Sequence, residues 1–195
     1  MARELFLFFN FRSPYCYLAS KTMWGVLERF DIEVKWRPLG GWDGRSPPDR
    51  AKANLPRARQ DVARWCARLG IPYTPPPTTT DPTLAGIGSL FAEKAGLLKP
   101  YVIEVMRAEW ATGRDIGDRA VLREVAGKVG LDVAAFEAAL DDPAGAAQLA
   151  ANAEEAAAKS VIGVPTFVVG EEIFWGQDRL DFLAEHLTAL RLSKV

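Results

Sequence analysis

The sequence predicts an α/β protein in which a βαβ unit and a ββα unit are separated by a long helical stretch. Three observations carry this. An apolar run of strand length, "ELFLFF" at 4–9, is followed by a capped helix and by "IEVKWRP" at 32–38, which alternates apolar and polar residues. Between about residues 50 and 160 no segment has convincing strand character. Near the C-terminal end, "TFVV", a short turn and "IFW" form a hairpin pattern ahead of an amphipathic helix. The expected organisation is a discontinuous domain of residues 1–45 and 160–195, with an all-helical insertion at 46–159.

In chain order, residues 4–9 read as a buried strand. Asn10 to Arg12 turn the chain. Ser13 is a favourable N-cap and Pro14 suits the first helical position, where its missing N–H would be unpaired anyway. The helix runs on through "YCYLASKTMWGVLERF". Pro38 stops the second strand, and the crossover joining the two strands is expected to be right-handed. The Gly- and Pro-rich "GGWDGRSPPDRAKANLP" predicts a loop, and "RARQDVARWCARLG" a helix stopped at Gly70. "IPYTPPPTTTDP" predicts a second loop, with polyproline II at Pro75–Pro77. Helices should then start at Asp81–Pro82, cover "PYVIEVMRAEWATG", start again at caps Asp118 and Asp132, and fill the Ala-rich 144–160. The final hairpin should turn at Gly170-Glu171-Glu172 and end at Gly176, with Asp178 opening the last helix. Four strands in this order make a thioredoxin-like fold with a large helical insertion.

Composition narrows the function. Of 195 residues, 49% are hydrophobic, which is enough for a sizeable core, and the net charge of −1 offers no basic field for nucleic acid. No apolar run approaches the roughly 18 residues of a membrane span. "MARELFLFF" lacks a long apolar core and an Ala-x-Ala site, so no signal peptide and a cytoplasmic location are expected. There thiols stay reduced and glutathione is abundant. The one histidine, His186, lies in an amphipathic helix with no catalytic motif beside it, which disfavours triads, Cys-His pairs and His-based metal sites. No metal is expected, and the glycines at 40–44 lack the Lys-Ser/Thr of a phosphate loop.

"SPYC" at 13–16 occupies the junction where a thiol-disulfide enzyme carries Cys-x-x-Cys, with serine in the nucleophile's place. Together with "GVPTFVVG" and "FWGQDRL" it resembles the 2-hydroxychromene-2-carboxylate isomerases and kappa-class glutathione transferases, of the DsbA-like branch of the thioredoxin superfamily. "DVARWCARLGIPY" and "AEWATGRDIGD" are similar to that family's insertion helices, so the resemblance spans nearly the whole chain.

The resemblance implies bound glutathione, with Ser13 as the catalytic residue hydrogen-bonded to its sulfur. A helix N-terminus carries about half a positive charge and unpaired N–H groups, which stabilises a thiolate placed there. It implies cofactor contacts from Pro14, from a cis Val164-Pro165 whose extended Val164 backbone pairs with the cysteinyl unit, and from Gln177 and Asp178 at the γ-glutamyl end. Phe11, Tyr15, Asn54, Arg57 and Trp110 are the expected substrate-side residues. Asn54 stands where the resemblance implies a lysine, and the implied asparagine falls near Pro48-Asp49, so Lys52, Arg57 or Arg59 is expected to supply the cation. Cys16 and Cys66 read as packing residues.

The implied activity is glutathione-dependent cis-trans isomerisation of a small aromatic carboxylate, within aromatic-compound catabolism, by a homodimer. A kappa-like glutathione transferase uses the same residues. A DsbA-like thiol-disulfide oxidoreductase would depend on Cys16 alone, and a silent glutathione-binding protein on this fold is the remaining reading.

Overall fold

The computed structural model describes residues 2–45 and 48–194. Strand β1 (Arg3–Phe9) and strand β2 (Ile32–Pro38) pair in parallel, Leu5 opposite Val34, with helix α1 (Pro14–Leu27) as the crossover. Strand β3 (Thr166–Val169) pairs antiparallel with β1, Leu7 opposite Phe167. Strand β4 (Glu172–Trp175) pairs antiparallel with β3. The sheet order is β2-β1-β3-β4, a mixed four-stranded sheet. β1 and β3 are central, which is why "ELFLFF" and "TFVV" are apolar on both faces.

Between β2 and β3 come α2 (Pro48–Leu69), α3 (Thr83–Lys94) and α4 (Leu98–Met106). A π-helical turn (Arg107–Ala111) follows, then α5 (Arg119–Val129), α6 (Val133–Asp141) and α7 (Pro143–Ala158). After β4, a 3₁₀ turn (Gln177–Arg179) leads into α8 (Leu180–Ala189). One cluster of buried apolar side chains runs from β1 and α1 into the insertion helices. Phe9, Phe11 and Trp36 pack together, and Phe11 meets Tyr101 of α4, which meets Phe136 of α6.

Four local expectations need correction. The predicted loop over 40–56 is helical from Pro48 onward; Ser46 and Pro47 lie outside the described residues. Pro48 sits in the helix's first turn, where no N–H is needed, and Pro56 lies inside the helix on an exposed stretch where water can satisfy the freed carbonyl. The hairpin turn is two residues, Gly170-Glu171, because Glu172 already pairs with Val169; Gly170 takes φ +62. Pro82, not Asp81, precedes the first residue of α3, and Asp81 still caps it by accepting from the Thr83 N–H at 2.9 Å. Asp178 lies within the 3₁₀ turn, one turn ahead of α8, and makes no side-chain cap there. Caps at Ser13, Asp118 and Asp132 form as the sequence reads.

Among the described residues, no helix is long and apolar enough to cross a membrane, and no group of three or more His, Cys, Asp or Glu is placed to hold a metal ion.

Candidate active site

The site is built where β1 hands over to α1. Asn10 Oδ1 accepts from the Arg12 N–H at 2.9 Å and fixes the turn. Ser13 follows in extended conformation, so its hydroxyl reaches forward to accept from the Cys16 N–H at 3.3 Å. The same hydroxyl donates to the Val164 carbonyl at 3.3 Å. The Val164-Pro165 bond is cis. Beyond it, the Pro165 carbonyl accepts from the Gly176 N–H at 2.9 Å, which ties this loop to the end of β4. The loop after β2 closes against Val164 at Gly44. There φ is +67, and a Cβ would stand 2.6 Å from Leu39 Cδ1 and 2.8 Å from Val164 Cγ1.

A cavity of about 270 Å3 opens above Ser13. Pro14 and Tyr15 line it from α1, Tyr73 and Trp110 from the insertion, and Val164 and Trp175 from the C-terminal unit. α2 covers it with Ala51, Asn54, Leu55 and Ala58, the i, i+3, i+4, i+7 stripe of one helix face. The Tyr15 hydroxyl donates to Asp61 Oδ2 at 3.0 Å, joining α1 to α2. Burial, and then this bond to a carboxylate, push the Tyr15 phenol up to about 12, so it stays protonated.

Of the residues singled out from sequence, Ser13, Pro14, Tyr15, Asn54, Trp110 and Val164 meet at this cavity. Pro165 stands behind Val164. Gln177 is buried and Asp178 exposed in the 3₁₀ turn beyond Gly176. They border the start of α1, where the charge of Asp178 acts on Tyr15, but they do not line the cavity. Phe11 does not face the cavity. Its ring is wholly buried against Phe9, Trp36 and Tyr101, and only its carbonyl reaches the site, accepting from Trp110 Nε1 at 3.3 Å. Arg57 falls off the cavity stripe of α2 and is exposed; the arginine of α2 that lines the cavity is Arg59.

Both cysteines are buried and unpaired. Cys16 sits in the first turn of α1, yet burial pushes its thiol up to about 12 and outweighs the bonds from Asn10 and Ser13. His186 lies away from the site, beside the Phe174 ring at 5.5 Å.

Sequence reading missed three charged residues. Arg12 is 9% exposed and lines the cavity. Its Nη1 lies 3.4 Å from Glu109 Oε1, its Nη2 donates to the Pro77 carbonyl at 2.9 Å, and its guanidinium lies 5.4 Å from the Trp110 ring centre. Glu109 is wholly buried; burial drives its carboxyl well above the usual carboxylate range, against the pull of Arg12 and Arg45. Arg45 also lines the cavity. Its guanidinium covers the Trp42 ring at 3.9 Å and donates to the Gly41 carbonyl at 3.3 Å. Burial and the neighbouring Arg12 lower its pKa to about 10, which leaves it charged at neutral pH. The available signals were an acid, Glu109, directly before Trp110 in "YVIEVMRAEW", and an arginine directly before the helix cap Ser13.

Residues 4–188 match the DSBA-like thioredoxin domain family. The chain is similar to a 2-hydroxychromene-2-carboxylate isomerase of Sphingobium xenophagum, 29% identical over 96% of this chain and 99% of the relative. A solved structure of 2-hydroxychromene-2-carboxylate isomerase superposes with a TM-score of 0.83 at 26% identity, over 96% of both chains. The cytosolic disulfide reductase DsbM from Pseudomonas aeruginosa, solved with GSH, superposes with a TM-score of 0.73 at 22% identity, over 97% of this chain and 100% of the other.

Proposed function

The chain belongs to the DSBA-like thioredoxin domain family, and from that premise we propose that it is a glutathione-dependent isomerase of the 2-hydroxychromene-2-carboxylate type. The observation that carries this reading is a pairing of two facts about sulfur. The helix N-terminus that would activate a thiolate presents the Ser13 hydroxyl, and the chain's own thiol beside it, Cys16, is sealed in the core. The chemistry such an end favours is stabilisation of a sulfur supplied from outside. The relatives named as isomerases support the reaction type.

The donor set fits glutathione. Val164 presents a carbonyl beside the cavity, and Ser13 spends its proton on that carbonyl. A ligand amide donating to Val164 would release the Ser13 hydroxyl, which then donates to the ligand sulfur; one donor replaces another at the carbonyl. Glutathione, when bound here, would supply a thiolate nucleophile for reversible conjugate addition to an alkene, whose reversal after rotation restores the double bond and frees the thiolate. Ser13 and the N-terminus of α1 would hold that sulfur and favour its thiolate form. Tyr73, Trp110 and Trp175 line the cavity where the alkene would pack, and Tyr15 beside them stays protonated. No side-chain base is required, consistent with the distance of His186.

The test is direct. Purified protein mixed with 2-hydroxychromene-2-carboxylate should interconvert its isomers, followed by absorbance, only when glutathione is present; turnover independent of glutathione overturns the proposal. Release of a stable conjugate from a halonitroarene would instead indicate a transferase built on the same residues.

A further inference from the structure

We propose that Arg12 and Arg45 form a carboxylate-reading subsite in the cavity, which selects planar conjugated acids over their neutral counterparts. This subsite deepens the isomerase reading by naming the residues that recognise the substrate's acid group.

The argument starts from charge. Arg12, Arg45 and Arg59 line the cavity, and no carboxylate among the described residues does so. The counter-charge lies beneath: Glu109 is wholly buried behind Arg12 and binds one of its nitrogens. That one buried carboxyl pairs with Arg12 alone, and no carboxylate among the described residues lies within ion-pair distance of Arg45 or Arg59. The cavity therefore keeps a net positive interior. Withdrawing cations from water is costly unless an anion arrives.

Donor capacity points the same way. A guanidinium offers five N–H donors. Arg12 uses one N–H of Nη1 on Glu109 and one of Nη2 on Pro77, which leaves one hydrogen on each of these nitrogens; its Nε, sealed from solvent, has no partner among the described residues. Among the described residues, Arg45 donates to the Gly41 carbonyl and stacks on Trp42. Two forks with spare donors in one small cavity suit a carboxylate, which accepts at both oxygens.

Shape selects what carries that carboxylate. The Tyr73 and Trp110 rings both line the cavity and stack on one another, parallel within 8° with centroids 6.2 Å apart, so they form one flat aromatic wall. Trp175 borders the cavity from β4 and lies so close over Gly163 that a Cβ there would stand 2.4 Å from its Nε1. A flat, conjugated acid fits these walls better than a branched one.

A carboxylate could come from such an acid or from glutathione itself, and calorimetric titration separates the two. Cinnamate, cinnamamide and glutathione are each titrated into the wild type, Arg45→Met and Arg45→Lys. Arg45 is the better probe because replacing Arg12 would strand Glu109. The wild type should bind cinnamate about ten-fold tighter than cinnamamide, the effect of one charge-assisted hydrogen bond. Arg45→Met should lose about that factor for cinnamate and leave cinnamamide unchanged, and Arg45→Lys should recover part of it. Equal binding of acid and amide, equal loss of both in Arg45→Met, or a loss confined to glutathione would overturn the subsite. Acid discrimination in a protein lacking glutathione-dependent turnover would sink the isomerase proposal and leave the subsite standing; turnover indifferent to Arg45 would do the reverse.

Discussion

The Ser13 hydroxyl donates to the Val164 carbonyl at 3.3 Å, across 151 positions of sequence. One proton therefore joins the start of α1 to the cis-proline loop, and the same oxygen caps the helix through the Cys16 N–H. Ser13→Ala removes both contacts. It should cost about 1 kcal/mol of stability, read by chemical denaturation. Under the proposed mechanism it should also lower glutathione-dependent turnover at neutral pH by ten-fold or more. The rising limb of the pH–rate profile should move to higher pH, because the bound thiolate loses a donor. A profile that falls in height without moving would mean that the serine only caps.

Cys16 should be inert. Its thiol is buried and pushed up to about 12, so almost none is thiolate at pH 8. A thiol reagent should label it in denaturant and hardly at all in the native protein. Cys16→Ala should leave glutathione-dependent turnover within about two-fold and cost about 1 kcal/mol for the small cavity it leaves. Loss of activity in that variant would favour the thiol-disulfide reading.

Glu109 gives the fold a pH signature. Burial raises its carboxyl well above the ordinary 4.5. A carboxyl raised on folding binds its proton more tightly in the native state. Its contribution is fully present below the ordinary value and is lost as pH rises through the folded value. Glu109→Gln cannot titrate. Melting temperature should therefore fall with rising pH more steeply in the wild type than in Glu109→Gln across that window. Parallel curves would mean that Arg12 holds the carboxylate ionised throughout.

Gly44→Ala tests how tightly the loop after β2 braces the site. The new Cβ would meet Leu39 and Val164 at 2.6 and 2.8 Å in a backbone region that favours glycine. A loss of about 1–3 kcal/mol is expected, together with weaker glutathione binding as Val164 is displaced. Unchanged affinity would show that the cis-proline loop is positioned without this contact.

The frame of the molecule was readable because its strands and caps obey local rules. "ELFLFF" needed two apolar faces, and Ser13-Pro14 a helix start. α2 was partly hidden because two prolines within nine residues read as loop chemistry, while the helix tolerates one in its first turn and one on its wet side. Asn54 and Trp110 could be named without their geometry, whereas Phe11 and Arg57 could not be excluded. Which face of a turn or helix meets a cavity depends on packing between distant segments. Arg12 and Glu109 stayed illegible for the same reason: they are 97 positions apart, and neither has a local partner that would mark it.

The π-helical turn at Arg107–Ala111 gives the chain a point of intolerance to length change. There the Arg107 carbonyl accepts from the Thr112 N–H, five residues on. This wider loop presents Glu109 and Trp110 toward Arg12. Removing one residue would restore ordinary winding and swing the following side chains by about 100° around the axis. In a deletion scan, loss of a residue from this turn should abolish the site, because shortening by one position would withdraw both the buried acid and the aromatic wall. The reading frame of the helix, rather than any single side chain, is what this segment has to preserve.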